Sequence, residues 1–100
     1  MAAITIKWTE EAAIWLEDIY RYIFRDNPEA ARRVVNGIYR RVQDFSEFPE
    51  MGYRYRTEPE GDIRVLLYGH YRIAYLFRNT ADAIEILGVF HGTLDIDRYF

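Results

Sequence analysis

Cysteine is absent from this 100-residue chain, and lysine occurs only as Lys7. The first absence removes disulfides, thiolate metal sites and cysteine nucleophiles, and it suits a reducing compartment. Histidine is scarce too: His70 and His91 stand without a third ligand at metal spacing, so no zinc site and no other cofactor is expected. Neither a glycine-rich phosphate loop nor a G-x-S-x-G nucleophile turn is present. No apolar run approaches the roughly 18 residues of a membrane span. The opening Met-Ala-Ala-Ile-Thr-Ile lacks the basic head and long apolar stretch of a secretion signal. A soluble cytoplasmic domain without membrane contact is the expectation.

Half of the residues are hydrophobic and 17% are aromatic, which excludes intrinsic disorder. Residues 1–100 are expected to form one domain, because a chain of this length has no room for a second core. Such a chain buries only roughly 65% of its unfolded surface, so tight packing matters and a partner can add stability. Thirteen basic side chains stand against 16 acidic ones, a formal charge of −3. That balance does not suit a protein whose main work is coating nucleic acid.

The first half of the chain reads at helical period and the second at strand period, after an opening strand from Ile4 to Trp8. Thr9 caps a first helix, with Glu10 and Glu11 against its positive end. Ala12, Leu16, Ile19 and Ile23 make its apolar stripe, which Trp15 and Tyr22 widen. Asp26-Asn27-Pro28 ends it and starts a second helix, since Asn27 is a natural cap and Pro28 suits the first helical position. Ala31, Val34, Val35, Ile38, Val42 and Phe45 form the second apolar face. So short a break makes the helices antiparallel neighbours. This helix fades near Ser46, because Phe48 precedes Pro49.

A turn-rich segment from Glu50 to Asp62 carries an irregular edge strand around Tyr53-Arg54-Tyr55-Arg56. Three strands follow, Ile63 to Tyr68, Tyr71 to Phe77 and Ile84 to His91. Gly69-His70 closes the first hairpin. With a two-residue turn, Leu66 and Ile73 share one face, Val65 and Ala74 the other, and Arg64 and Arg72 point apart. The fold class is therefore α+β. Both sheet faces are partly apolar: one carries the helix pair, and the other is expected to need cover from another chain. Without it, the isolated protein is expected to aggregate or dimerise.

Arg64 and Arg72 lie inside apolar strands, where a guanidinium must reach water, an anion or a partner. Each either clamps a phosphate or carboxylate or is a ladder residue, pairing with Glu85 or reaching solvent. His91, at a strand end before Gly92, is either a general acid–base or a hydrogen-bonded terminus histidine. His70 is expected to be simply exposed. Arg32, Arg33, Arg40 and Arg41 make the second helix basic, as a solvated face or a surface for an acidic partner. Tyr68, Tyr71, Tyr75, Tyr99 and Phe100 give the second half an aromatic excess, a composition that fills cores and also favours partner surfaces.

The run Gly69-His70-Tyr71-Arg72-Ile73-Ala74-Tyr75, followed by Ile84 to Gly92 and preceded by Trp8-Thr9-Glu10-Glu11-Ala12, resembles the RelE/ParE superfamily of bacterial toxins. The resemblance implies an N-terminal strand and an antiparallel helix hairpin packed on a small antiparallel sheet. It implies a type II toxin neutralised by a cognate, ParD-like antitoxin whose tail wraps the groove between helices and sheet. Hetero-oligomer formation and antitoxin-mediated binding of operator DNA are implied with it. Antitoxin contacts then fall on Arg33, Arg40, Leu66, Tyr68, Tyr71, Arg72 and Tyr75.

The RelE-like branch cleaves messenger RNA on the ribosome, through attack of the RNA's 2′-hydroxyl on the adjacent phosphate. On that pattern Arg64, Arg72 and His91 would be the catalytic set. The paired strand lysines of that branch are missing, with Leu66 at the second place. The ParE-like branch is similar in its Val89-Phe90-His91-Gly92 ending, and it implies inhibition of DNA gyrase by protein contact. The gyrase-directed reading is preferred, with RNA cleavage as the alternative.

Overall fold

The computed structural model describes residues 4–92 and 96–100. A short strand β1 (Thr5–Trp8) leads into helices α1 (Glu10–Phe24) and α2 (Pro28–Gln43). Strands β2 (Tyr53–Glu58), β3 (Gly61–Tyr68), β4 (Tyr71–Arg78) and β5 (Ala83–His91) follow, then a 3-10 turn over Ile96–Tyr99. Both helices start where their caps demand. Thr9 Oγ1 accepts the Ala12 amide at 3.2 Å, and Asn27 Oδ1 accepts that of Ala30 at 3.0 Å. A 3-10 turn at Asp44–Ser46 ends α2, short of Pro49.

Among the described residues the sheet runs β1-β5-β4-β3-β2. The last four strands are the expected antiparallel meander, and β1 joins them in parallel beside β5. A parallel neighbour needs a long crossover, and the helix hairpin with three strands supplies it. Tyr68 pairs with Tyr71 across the two-residue turn, where Gly69 takes φ 56°. One bulge interrupts β2 between Arg54 and Arg56, and another disturbs β5 opposite Ala74–Tyr75. The first twists and breaks up an edge strand, a recognised guard against edge-to-edge pairing.

The alternation sorts the side chains into two cores. On the helix side Leu66, Ile73, Tyr75, Ile84, Ile86 and Val89 pack with Ala12, Ile38, Val42 and Phe45. On the reverse side Val65, Ala74 and Phe90 pack with Ile96, flanked by Trp15, Tyr55 and Phe100. The tail therefore covers much of the face that the sequence left open for another chain, a correction to that expectation. Local periodicity shows that a face is apolar; it carries no information on which distant segment returns to it. Leu67 and Tyr53 remain 63% and 50% exposed on that side. Tyr22, expected in the helical stripe, is also turned outward and 73% exposed.

Candidate functional site

Arg64 faces the helix side, opposite Tyr75 on β4. It is 8% exposed, and its Nη1 donates to the Gly52 carbonyl at 2.7 Å and to that of Glu50 at 3.2 Å. The Tyr75 hydroxyl completes the clasp: it accepts the Gly52 amide at 3.0 Å and donates to the Pro49 carbonyl at 2.8 Å. Gly52 is needed there, since a Cβ would lie 2.9 Å from the Val65 carbonyl carbon and from the Tyr75 ring. Arg64 thus binds main chain and does not pair with Glu85, whose partner is Arg78.

Burial raises the Tyr75 hydroxyl above its ordinary value of 10.0, against the opposing pull of the Gly52 hydrogen bond and the Arg64 charge. The unfolded chain therefore loses this proton first as pH rises. The stabilisation is complete below about pH 10 and is lost as pH climbs through the folded value. Thermal unfolding followed from pH 8 to pH 11 should show melting temperature falling at the alkaline end. In Tyr75→Phe that alkaline fall should be shallower, although the variant starts lower; an identical alkaline slope would refute the assignment.

Arg72 stands opposite Leu67 on β3 and Phe90 on β5, on the reverse face, and is half-buried. His91 stands opposite Tyr71 on the helix side, exposed, its ring meeting the Tyr71 ring edge-on at 5.8 Å. The three residues of the implied RNase set are thus dispersed. Arg64 lies beneath the 49–52 loop, His91 at the end of the sheet, and Arg72 through the sheet from both. Neither bulge lies between Arg64 and Arg72, so nothing returns them to one face.

Of the implied antitoxin contacts, Tyr75 is fully buried and Leu66 is 9% exposed. Neither offers a surface to a partner, which corrects their assignment: both are core, one by its ring against Phe45 at 4.1 Å, the other by packing under the helices. Tyr68 is half-buried, its hydroxyl so close to α2 that a Cβ on Gly37 would meet it at 2.0 Å. Arg33 and Arg40 are exposed on α2 beside Arg32, and none of the three carries an ion pair among the described residues.

Tyr71 opens onto a groove of about 530 Å³ lined by Trp15, Asp18, Ile19, Tyr22, Val89 and His91. Burial, with a smaller contribution from neighbouring Tyr22, raises the Tyr71 hydroxyl above 10.0. The α1 wall of this groove escaped the sequence reading. Its signal was an apolar stripe wider than one buried face requires, Trp15 and Tyr22 being the surplus. No set of three potential metal ligands occurs among the described residues.

A helix hairpin on a mixed sheet, with an apolar groove at one end and an arginine-rich helix surface, defines a small α+β domain of the RelE/ParE fold. The chain belongs to the ParE toxin family of type II toxin–antitoxin systems: the family model described as "ParE toxin of type II toxin-antitoxin system, parDE" matches residues 6–96. A Sinorhizobium fredii protein named "Putative toxin Y4kP" is 37% identical over 91 residues, covering 91% of each chain. Among solved structures, a chain of the chromosomal ParDE system from P. aeruginosa superposes with TM-score 0.73 at 22% identity, covering 89% of this chain and 96% of its own. A chain of the RelBE2 toxin–antitoxin complex from Mycobacterium tuberculosis gives 0.66 at 23% identity, covering 90% and 99%. One from the archaeal RelE–RelB complex of Pyrococcus horikoshii gives 0.59 at 16% identity, covering 93% and 99%.

Proposed function

We propose that this toxin acts by binding DNA gyrase, and that a ParD-like antitoxin holds it inactive in a hetero-oligomer. The observation that carries the reading is the dispersal of Arg64, Arg72 and His91. Ribonucleolytic attack by a 2′-hydroxyl needs a base, an acid and a cation around one phosphate. Here one guanidinium is committed to main-chain carbonyls, and the other lies across the sheet from the imidazole. Binding a protein needs no such convergence. The likeness to a ParDE chain supports the same reading, and the antitoxin of that system is the model for the partner.

The antitoxin is assigned two surfaces. An apolar segment fits the groove of Trp15, Ile19, Tyr22 and Tyr71, and acidic side chains suit Arg33 and Arg40. Operator DNA is bound through the antitoxin, in keeping with the toxin's net charge of −3. A gyrase-directed toxin works in the cytoplasm.

Induction of the toxin, with parallel readouts of plasmid supercoiling and of transcript cleavage in a translating extract, tests the reading. Loss of supercoiling with intact transcripts is expected. Cleaved transcripts with normal supercoiling would establish the endoribonuclease alternative. Arg72 lies on the reverse face, outside both assigned surfaces, so Arg72→Ala should leave antitoxin capture largely intact and have no cleavage to lose; wild-type cleavage that this variant abolishes is the contrary result.

A further inference from the structure

The 47–52 connection between α2 and β2 is fixed far more firmly than a link needs. Its Glu47 and Phe48 amides donate to the Asp44 carbonyl at 3.1 and 2.9 Å, and the Met51 amide donates to the Phe48 carbonyl at 3.2 Å. Arg64 holds the carbonyls of Glu50 and Gly52, and Tyr75 holds Pro49 and the Gly52 amide. A guanidinium buried among apolar strands is costly, all the more because its Nε has no hydrogen-bond partner among the described residues. Yet this rigid loop turns Phe48 outward, 60% exposed, where the ring gains little from the fold. Glu47, Phe48, Pro49, Glu50 and Met51 together outline a surface depression of about 450 Å³. Both glutamates are exposed, and neither has an ion pair among the described residues.

We propose that this loop is a second docking surface, on which Phe48 anchors an apolar patch of the target enzyme while Glu47 and Glu50 meet arginine or lysine at its rim. The inference rests on the gyrase reading above and adds the surface that makes the contact. Charge separates the two partners. Arg32, Arg33 and Arg40 of α2, without ion pairs among the described residues, suit an acidic antitoxin, whereas an enzyme that tracks DNA carries basic surface beside its duplex, which an acidic loop complements. Rigidity favours the anchor, because a ring already held in place loses little freedom on binding. The buried clasp of Arg64 and Tyr75 positions the loop and touches no partner.

Phe48→Ala and the double reversal Glu47→Lys/Glu50→Lys, compared with wild type for inhibition of gyrase supercoiling, test the surface. Each should raise the toxin concentration needed for half-inhibition by roughly tenfold or more, as loss of a central anchor does. Melting temperature and capture by the antitoxin should be unchanged, the altered side chains being exposed. Inhibition by both variants within about twofold of wild type would overturn the surface and leave the gyrase reading standing. Equal loss of antitoxin capture would also overturn it, by making the loop part of the antitoxin interface. A wild-type toxin that neither binds nor inhibits gyrase would remove both readings together.

Discussion

Arg64→Met should lower the stability of the protein sharply while preserving most of the side chain's apolar volume. The guanidinium is 8% exposed and donates to two carbonyls of a loop that it and Tyr75 hold against the sheet. Methionine fills the stem's place and donates nothing, so the buried Gly52 carbonyl and the part-buried Glu50 carbonyl lose their partner. Unsatisfied buried acceptors cost about 1–3 kcal/mol each, partly offset because a desolvated charge is removed as well, for a net loss of about 3 kcal/mol. For a domain of this length that corresponds to a fall of roughly 12–24 °C in melting temperature. Arg64→Lys should recover only part of it, since a single ammonium on a flexible stem does not reproduce the planar fork. A melting temperature within about 3 °C of wild type, below the effect of even one lost hydrogen bond, would mean that the arginine is not structural. The catalytic assignment would then regain its standing.

Phe90→Ala should cost as much or more. Phe90 is 1% exposed and is the centre of the reverse core: its ring meets Trp15 at 4.8 Å, Tyr99 at 5.4 Å and Phe100 at 5.9 Å. It folds over Gly88, where a Cβ would lie 2.4 Å from Cζ. Truncating such a ring costs about 3–5 kcal/mol, transfer and cavity together. The companion experiment removes residues 96–100, which takes away Ile96, Tyr99 and Phe100 and the 2.8 Å bond from Arg56 to the Phe100 carbonyl. The face uncovered includes Val65, Ala74 and Phe90. At equal concentration the shortened chain should sediment as larger species than the full chain. Identical sedimentation and melting would show that the tail does not seal the sheet.

Much of this was legible locally. Thr9, Asn27 and Pro28 announce both helices because a cap acts within one turn of the residue that makes it. The Gly69-His70 turn sets the register of β3 on β4, and with it the separation of Arg64 from Arg72. Aromatic residues were harder to place. Tyr68, Tyr71 and Tyr75 follow one another along the hairpin at similar spacing, yet Tyr75 is wholly buried and the other two reach the surface in part. Composition predicts a core or a binding face for each; only the position of α2 and the 49–52 loop above the sheet separates them. Locally Phe48 reads as a helix terminator, not as an exposed ring, because what holds its loop in place lies 16 and 27 positions along the chain, in Arg64 and Tyr75.

From the amino-acid order alone came the α+β class, the helix hairpin, the meander and the opposed directions of the two strand arginines. Each follows from contacts between near neighbours or from the two-residue period of a strand. Tertiary structure alone decided that β1 lies parallel to β5, that Arg64 is bound to a loop, that the tail lies on the reverse face, and that α1 walls a groove with Tyr71. Those outcomes depend on where distant segments meet. That is set by the competition of many weak contacts over the whole chain, not by any pattern within a few residues.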